Sequence, residues 1–390
     1  MANSIINDPY DFLGVKKTIN AAGILTRIGG SRPSVEVFKA MEAAARNFVT
    51  IAELQSKAGE YLAKAAGAEA GIPTAGGSAS ILLSTAACIM KGSELEDYEP
   101  LGPAVWRKIA QRIPLRTEGL KTEIIVQKCN RDEYDHAVEC AGGRFVEVGG
   151  DNGATIQELR EAFDPKKTAA YYYTIKFGSG LPLEKYVKLA HEQGVPVILD
   201  ASVISPPKNG KLHYIEMGVD MVCISGGKIL SAPNNTGILV GRKDLIKLAH
   251  LQSYPFEGIG RSAKMCRETI VGLITAYELY KKRDEVELDI IKARNAEFLK
   301  DEFNKITGIT AHVDKKRPLC VVKSDKQQNG YSTKELYQAL LNGDPSIMTV
   351  FEPYFLIEDY HGVFTINPHF LSDEEIDVIK TRVFDLLKTQ

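Results

Sequence analysis

Three short stretches carry residue types that do chemistry together. In VCISGGKILSAPNNTGILVG, residues 222–241, Lys228 follows an apolar run and Ser225-Gly226-Gly227, with a second glycine-bounded apolar run close behind. A lysine is costly beside a core unless it is paired or its amine is used. Its ordinary reading is a solvated loop charge; its chemical reading is an amine that forms a Schiff base with a carbonyl cofactor. In VPVILDAS, residues 195–202, a near-continuous apolar run ends on Asp200, with Ser202 just beyond. A buried acid there needs a cation, although an acid at a strand end is also an ordinary turn or cap residue. In PTAGGSASILL, residues 73–83, Gly76, Gly77 and Ser78 open an apolar helix whose first N–H groups and dipole favour a phosphate; the ordinary reading is a plain loop-to-helix junction.

Taken together, the three stretches match what pyridoxal phosphate requires. That cofactor needs a phosphate cradle, a carboxylate for its pyridine nitrogen and a lysine for its aldehyde. The lysine amine, once freed and lowered by burial, can move a Cα proton.

The elements that must position these groups alternate along the chain. TEIIVQK (122–128), RFVEVG (144–149), TAAYYYTI (168–175), VPVILD (195–200), VDMVCIS (219–225) and TGILVG (236–241) read as strands. Between them, YDHAVECAGG (134–143), TIQELREAF (155–163) and LPLEKYVKLAHEQG (181–194) read as helices. Apolar strands separated by helices predict an α/β sheet covered on both faces, with ligands bound beyond the carboxyl ends of the strands. Residues 267–306 read as one long helical stretch, and the last helix carries Ser372 as N-cap with Glu375 at the capping-box position. The expected organisation is an N-terminal segment (1–19) folded on the small domain, a large domain (20–255), and a connecting long helix with a small C-terminal domain (256–390).

The composition excludes other classes. The 390 residues are 44% hydrophobic and 25% charged, with a net charge of −2, so there is no global basic field for nucleic acid. The six cysteines form no CxxC pair and read as buried reduced thiols; no metal site is expected. The start, MANSIINDPYDFLG, lacks the basic and apolar regions of a secretory signal, and no run approaches the ~18 apolar residues of a membrane span. A soluble, cytoplasmic protein is expected.

INAAGILTRIGGSRPSVEVFKAM, TIAELQSKAGEYLAKAAGAEAGIPTAGGSAS, EYDHAVECAGGRFVEVG, VPVILDAS and SGGKILSAPNNTGILVGRKDLI resemble fold-type-I pyridoxal phosphate enzymes of the selenocysteine synthase-like group. Within that group the likeness is to the D-glucosaminate-6-phosphate ammonia-lyase type, and it runs from about residue 10 to residue 280. It implies the PLP-dependent transferase fold, with a mostly parallel seven-stranded sheet in the large domain and a smaller α+β C-terminal domain. By the same resemblance Lys228 is the Schiff-base lysine and Asp200 the pyridine-nitrogen carboxylate. Gly76, Gly77 and Ser78 fall at the phosphate, with Ser202 and Ser225 as neighbouring cofactor contacts. His136 is the candidate beside the cofactor ring, with a capping or packing histidine as its alternative. TAGG stands where the family usually reads Thr-Ser-Gly-Ala, KCNRDEYD where a loop histidine is common, and SAPNNTG where GPQ-S/T-G is common.

The resemblance implies a lyase that removes the α-proton and then the β-hydroxyl of a 2-amino sugar acid phosphate such as D-glucosaminate 6-phosphate, releasing ammonia and a 2-keto-3-deoxy acid. Such a substrate needs cations. Arg27, Arg32, Lys128, Arg131, Arg261 and Lys264 are candidates, each with a solvated surface charge as its plain alternative. Arg27 in TRIGG and Arg261 in GIGRSAK lead, because their glycine-containing loops match the family. Aminotransferase, racemase, aldolase or selenium-transferase chemistry on the same scaffold, and a cofactor-free structural protein, remain the other readings. The expected partners are a small-molecule amino acid or amino sugar acid and further copies of the chain in a homodimer or larger assembly, with neither membrane nor nucleic acid.

Overall fold

Ile198 and Leu199 are adjacent in strand β6 (Val197–Asp200), and each is fully buried in a different core. That alternation explains the continuous apolar run: one face of the sheet packs Leu62, Tyr171, Leu199 and Tyr277, the other Ile81, Tyr172, Ile198 and Leu239. The structure is a computed structural model that describes residues 8–97, 112–175, 180–353 and 360–388. Residues 1–7, part of the expected N-terminal segment, lie outside the described residues.

The chain divides into two units, Ser31–Arg283 and Met1–Gly30 with Asp284–Gln390. The first is built on seven strands: β2 (Ala70–Thr74), β3 (Glu123–Gln127), β4 (Arg144–Val148), β5 (Thr168–Thr174), β6, β7 (Met221–Ser225) and β8 (Gly237–Gly241). Their order is β2-β8-β7-β6-β5-β3-β4, and only β8 runs against its neighbours. Thr174, Asp200 and Cys223 stand side by side in register, as do Ser225, Gly237 and Thr74. The carboxyl ends of β2, β5, β6 and β7 therefore meet at one edge. At the other end of β2 the helix Ile51–Ala66 packs so closely that a Cβ on Gly59 would lie 2.0 Å from the Gly71 carbonyl oxygen.

The second unit has the strand β1 (Thr18–Asn20) parallel to β11 (Ser346–Met348). It also has an antiparallel sheet of order β12-β13-β10-β9, in which β9 is Ile309–Val313, β10 Cys320–Ser324, β12 Val350–Phe351 and β13 Phe364–Ile366. Phe303, Leu336, Phe364 and Ile379 fill its core.

Two expectations need correction. The stretch 267–306 is two helices, Arg267–Lys282 and Glu285–Phe303, because the Asp284 side chain accepts from the N–H groups of Val286 and Glu287 and starts a new helix. The cysteines are all free, but only Cys88, Cys223 and Cys320 are buried; Cys129 is half-buried, and Cys140 and Cys266 are exposed at the last turn and the cap of helices. The capping box at Ser372–Glu375 forms as the spacing predicts, and a second one forms at Thr155–Glu158.

Candidate active site

Asp200 ends β6 only 6% exposed, and its Oδ1 accepts the Ser202 N–H at 2.9 Å. Burial pushes its carboxyl above the usual carboxylate range; the Ser202 hydrogen bonds and the Lys228 charge pull it back, and the charge of Asp135 adds to the rise. Lys228 is half-buried in the turn after β7, where its carbonyl accepts the Ser231 N–H at 3.0 Å. Burial lowers its amine below the ordinary lysine range, against the carboxylates of Asp200 and Asp132. The buried acid and the desolvated amine thus act on each other, from the ends of neighbouring strands.

The glycines before Lys228 are required by close approach. A Cβ on Gly226 would lie 2.3 Å from Thr236 Oγ1, and one on Gly227 2.6 Å from the Asn234 Cα. Ser31 fastens the same turn by donating its hydroxyl to the Gly227 carbonyl at 3.0 Å. On the adjacent side Gly76, at φ 117°, caps the helix Gly77–Met90 with no side-chain hydrogen bond to its first N–H groups. A Cβ on Gly77 would lie 2.3 Å from Ser202 Oγ and 3.9 Å from Ser225 Cβ, so these three residues line one cradle. Ser78 sits exposed on the first turn of that helix.

His136 is exposed at the start of a five-residue helix, with Cys140 Sγ 3.6 Å from its Nε2. Tyr134, two residues earlier, is the aromatic group there, its ring centroid 6.0 Å from Lys228 Nζ. Sequence reasoning missed Tyr134, Asp132 and Asp135; the only available signal was that the stretch RDEYDH offered several polar and aromatic residues in one loop.

Arg27 lies in the other unit, exposed on the turn Thr26–Ile28. Arg261 is exposed, donates to the Pro255 carbonyl at 3.3 Å and stands 5.0 Å over the Tyr254 ring, which Lys264 approaches at 5.7 Å. Lys128 is 3.7 Å from Asp151, and Arg131 is drawn onto Asp135 and Glu147. Arg32 lines a cavity of about 430 Å³ with Ser231 and Arg283, beside the turn that follows Lys228. A larger cavity of about 1170 Å³ lies elsewhere, between β2 and the helices Ile51–Ala66 and Lys243–Gln252, and includes neither Lys228 nor Asp200. Among the described residues no three metal-ligating side chains cluster, and no helix is long and apolar enough to cross a membrane.

Pyridoxal phosphate fits these residues on the structure's own terms. A glycine cradle that a single Cβ would fill stands at a helix N-terminus, with a buried carboxylate and a desolvated amine on the strands alongside.

The chain is similar to known proteins. Residues 135–333 match the family described as SelA: L-seryl-tRNA selenium transferase. The chain is 28% identical to the D-glucosaminate-6-phosphate ammonia lyase of Salmonella typhimurium (strain 14028s / SGSC 2262), over 97% of each protein. It is 29% identical to the 5'-C-glycyluridine monooxygenase-decarboxylase of a Streptomyces species, over 97% of this chain and 92% of that one. A solved structure of D-glucosaminate-6-phosphate ammonia-lyase superposes with a TM-score of 0.81 at 28% identity, covering 100% of this chain and 99% of that one. The seven-stranded sheet is that of fold-type-I pyridoxal phosphate enzymes, and the chain is an enzyme that belongs to the SelA family.

Proposed function

We propose that the protein is a pyridoxal phosphate-dependent ammonia-lyase that converts a 2-amino sugar acid phosphate, such as D-glucosaminate 6-phosphate, into ammonia and a 2-keto-3-deoxy acid. The observation that carries this reading is the Lys228 amine, lowered by burial and subject to the charge of the buried Asp200 at the carboxyl edge of the sheet. The cofactor supplies an electron-withdrawing ring and an aldehyde. Lys228 would hold the aldehyde, Asp200 the ring nitrogen, and the N–H groups after Gly76 with Ser202 and Ser225 the phosphate; Tyr134 joins His136 as a candidate beside the ring.

The chain's own residues then divide the work. A lysine amine below its usual range is deprotonated in a larger fraction of molecules near neutral pH, so Lys228 is suited to take the substrate's Cα proton. Asp200 keeps a negative charge where a protonated ring nitrogen needs one, and Ser202 fixes its direction. Arg261, which has no ion pair among the described residues, is the proposed contact for a substrate anion. Relatives of this chain carry elimination in one name and oxidative decarboxylation in another at nearly equal identity, so loss of carbon dioxide is the second reading.

A small-molecule substrate and a cytoplasmic setting belong to the same proposal, as does a homodimer or larger assembly. The exposed Val35, Phe38, Phe48 and Val49 support the assembly, and light scattering that found only monomer would remove that part. The test of the function is ammonia and 2-keto acid release from D-glucosaminate 6-phosphate by the wild-type protein and by Lys228→Ala. Release that disappears in the variant supports the reading. A yellow protein that releases carbon dioxide, or nothing, from this substrate rejects the elimination and keeps the cofactor.

A further inference from the structure

Arg131 stands in the sequence as a possible substrate cation, yet its contacts run inward. Its Nε donates to Asp135 Oδ2 at 2.5 Å and its Nη2 to Asp135 Oδ1 at 3.3 Å, while Nη1 reaches Glu147. The guanidinium carbon lies 4.0 Å from the ring centroid of Phe145. Phe145 and Glu147 both belong to β4, so the arginine is braced on the sheet from one side. On the other side Asp135, 2% exposed, also accepts the Asp132 N–H at 3.1 Å. Asp132 Oδ1 in turn accepts the Tyr134 N–H at 2.8 Å, and the Tyr134 ring faces Lys228. A continuous line of contacts therefore joins β4 to the reactive amine.

We propose that Arg131, through its two-pronged contact with Asp135, is a positioning residue that holds Asp132 and Tyr134 against Lys228 and thereby sets the charge around the amine. A planar guanidinium suits this task because it binds both carboxylate oxygens and stacks on an aromatic ring at once, which an ammonium cannot do. The titratable groups around the amine are Asp200 at the end of β6 and Asp132 and Tyr134 in the loop; Asp135 acts on Asp200. The inference rests on Lys228 being the reactive amine, so its test reads that amine without the cofactor.

The test is trace acetylation of Lys228 with acetic anhydride across pH, read by mass spectrometry on the full chain in cofactor-free form. Removing a carboxylate from an amine lowers its proton affinity. Asp132→Asn, Asp135→Asn and Arg131→Lys are each expected to move the labelling midpoint of Lys228 down by about half a pH unit or more, with the melting temperature marking which variants are folded. Lys128→Ala, at the exposed pair with Asp151, is expected to leave the midpoint in place. Folded Arg131→Lys and Asp135→Asn proteins with the wild-type midpoint would overturn the proposal; if one fails to fold, the other decides. Capture of pyridoxal phosphate by the wild-type protein is scored separately. Its failure removes the cofactor reading and leaves the labelling midpoint to judge the Arg131 clamp.

Discussion

A methyl group on Gly77 would stand 2.3 Å from Ser202 Oγ, and the N–H of that same Ser202 holds Asp200 Oδ1 at 2.9 Å. One residue after β6 thus links the helix N-terminus proposed for the phosphate to the carboxylate proposed for the ring nitrogen. A change at either end is transmitted to the other through a short, rigid path.

Gly77→Ala is therefore expected to weaken pyridoxal phosphate binding by at least ~10-fold, about 1.4 kcal/mol. Adding Ser202→Ala removes the clashing oxygen but also a hydroxyl proposed to hold the phosphate, so the double variant should not regain wild-type affinity. Equilibrium dialysis of the cofactor measures both. A single variant that binds as tightly as wild type would show that the cradle is not at this helix.

Asp200→Asn keeps the shape and removes the charge. The folded carboxyl lies above its ordinary range, so it binds a proton more readily folded than unfolded. Its ionisation is a cost to folding above the folded value and no cost below the unfolded one. Chemical denaturation of the cofactor-free variant should show a gain in stability at pH 7 that vanishes below about pH 4, the ordinary carboxylate value. Turnover should fall on the order of 10²-fold or more. A variant that is no more stable at pH 7 would mean that Asp200 is better solvated than its burial indicates.

His250 offers a control far from the chemistry. It is 8% exposed, its Nε2 has no hydrogen-bond partner among the described residues, its ring packs edge-on to Phe256, and burial pulls its imidazole down to about 4. Protonation therefore favours the unfolded chain, and stability is lost as pH falls from about 6.5 through 4. The group accounts for roughly 3 kcal/mol of that loss. His250→Phe should remove this part of the acid slope in urea titrations at pH 7 and pH 4.5, with little change at pH 7. An unchanged slope would place the acid sensitivity in other groups.

Gly59→Ala tests the seat of the helix Ile51–Ala66 on β2. The new methyl would meet a backbone oxygen at 2.0 Å, which has no rotamer to turn away. Overpacking of this kind costs about 1–3 kcal/mol, more than the ~1 kcal/mol that alanine gains over glycine in a helix. A drop in the urea midpoint is expected. A rise would mean that helix and strand separate at little cost.

Much of the scaffold was written locally. The runs ending on Asp200 and Ser225 are apolar at every position because both faces of β6 and β7 are buried, and that burial is visible in one dimension. The glycines before Lys228 and at the start of the helix Gly77–Met90 were legible as a turn and a helix start; that Asn234, Thr236 and Ser202 crowd them was not. The break at Asp284 was not read, because the apolar periodicity on both sides concealed its N-cap aspartate.

The surroundings of the amine were not legible. His136 and Tyr134 are two positions apart in the same stretch, and nothing local decides which of them turns toward Lys228. Arg131 reads as a free surface cation until β4 places Phe145 and Glu147 beside it. The sequence by itself determined the strands, the turns and the residues able to do the chemistry, because burial pattern and backbone freedom are properties of neighbours along the chain. Only the tertiary structure decided which side chains surround the Lys228 amine, because its desolvation and the charges of Asp132 and Asp200 come from segments that meet only when the sheet forms.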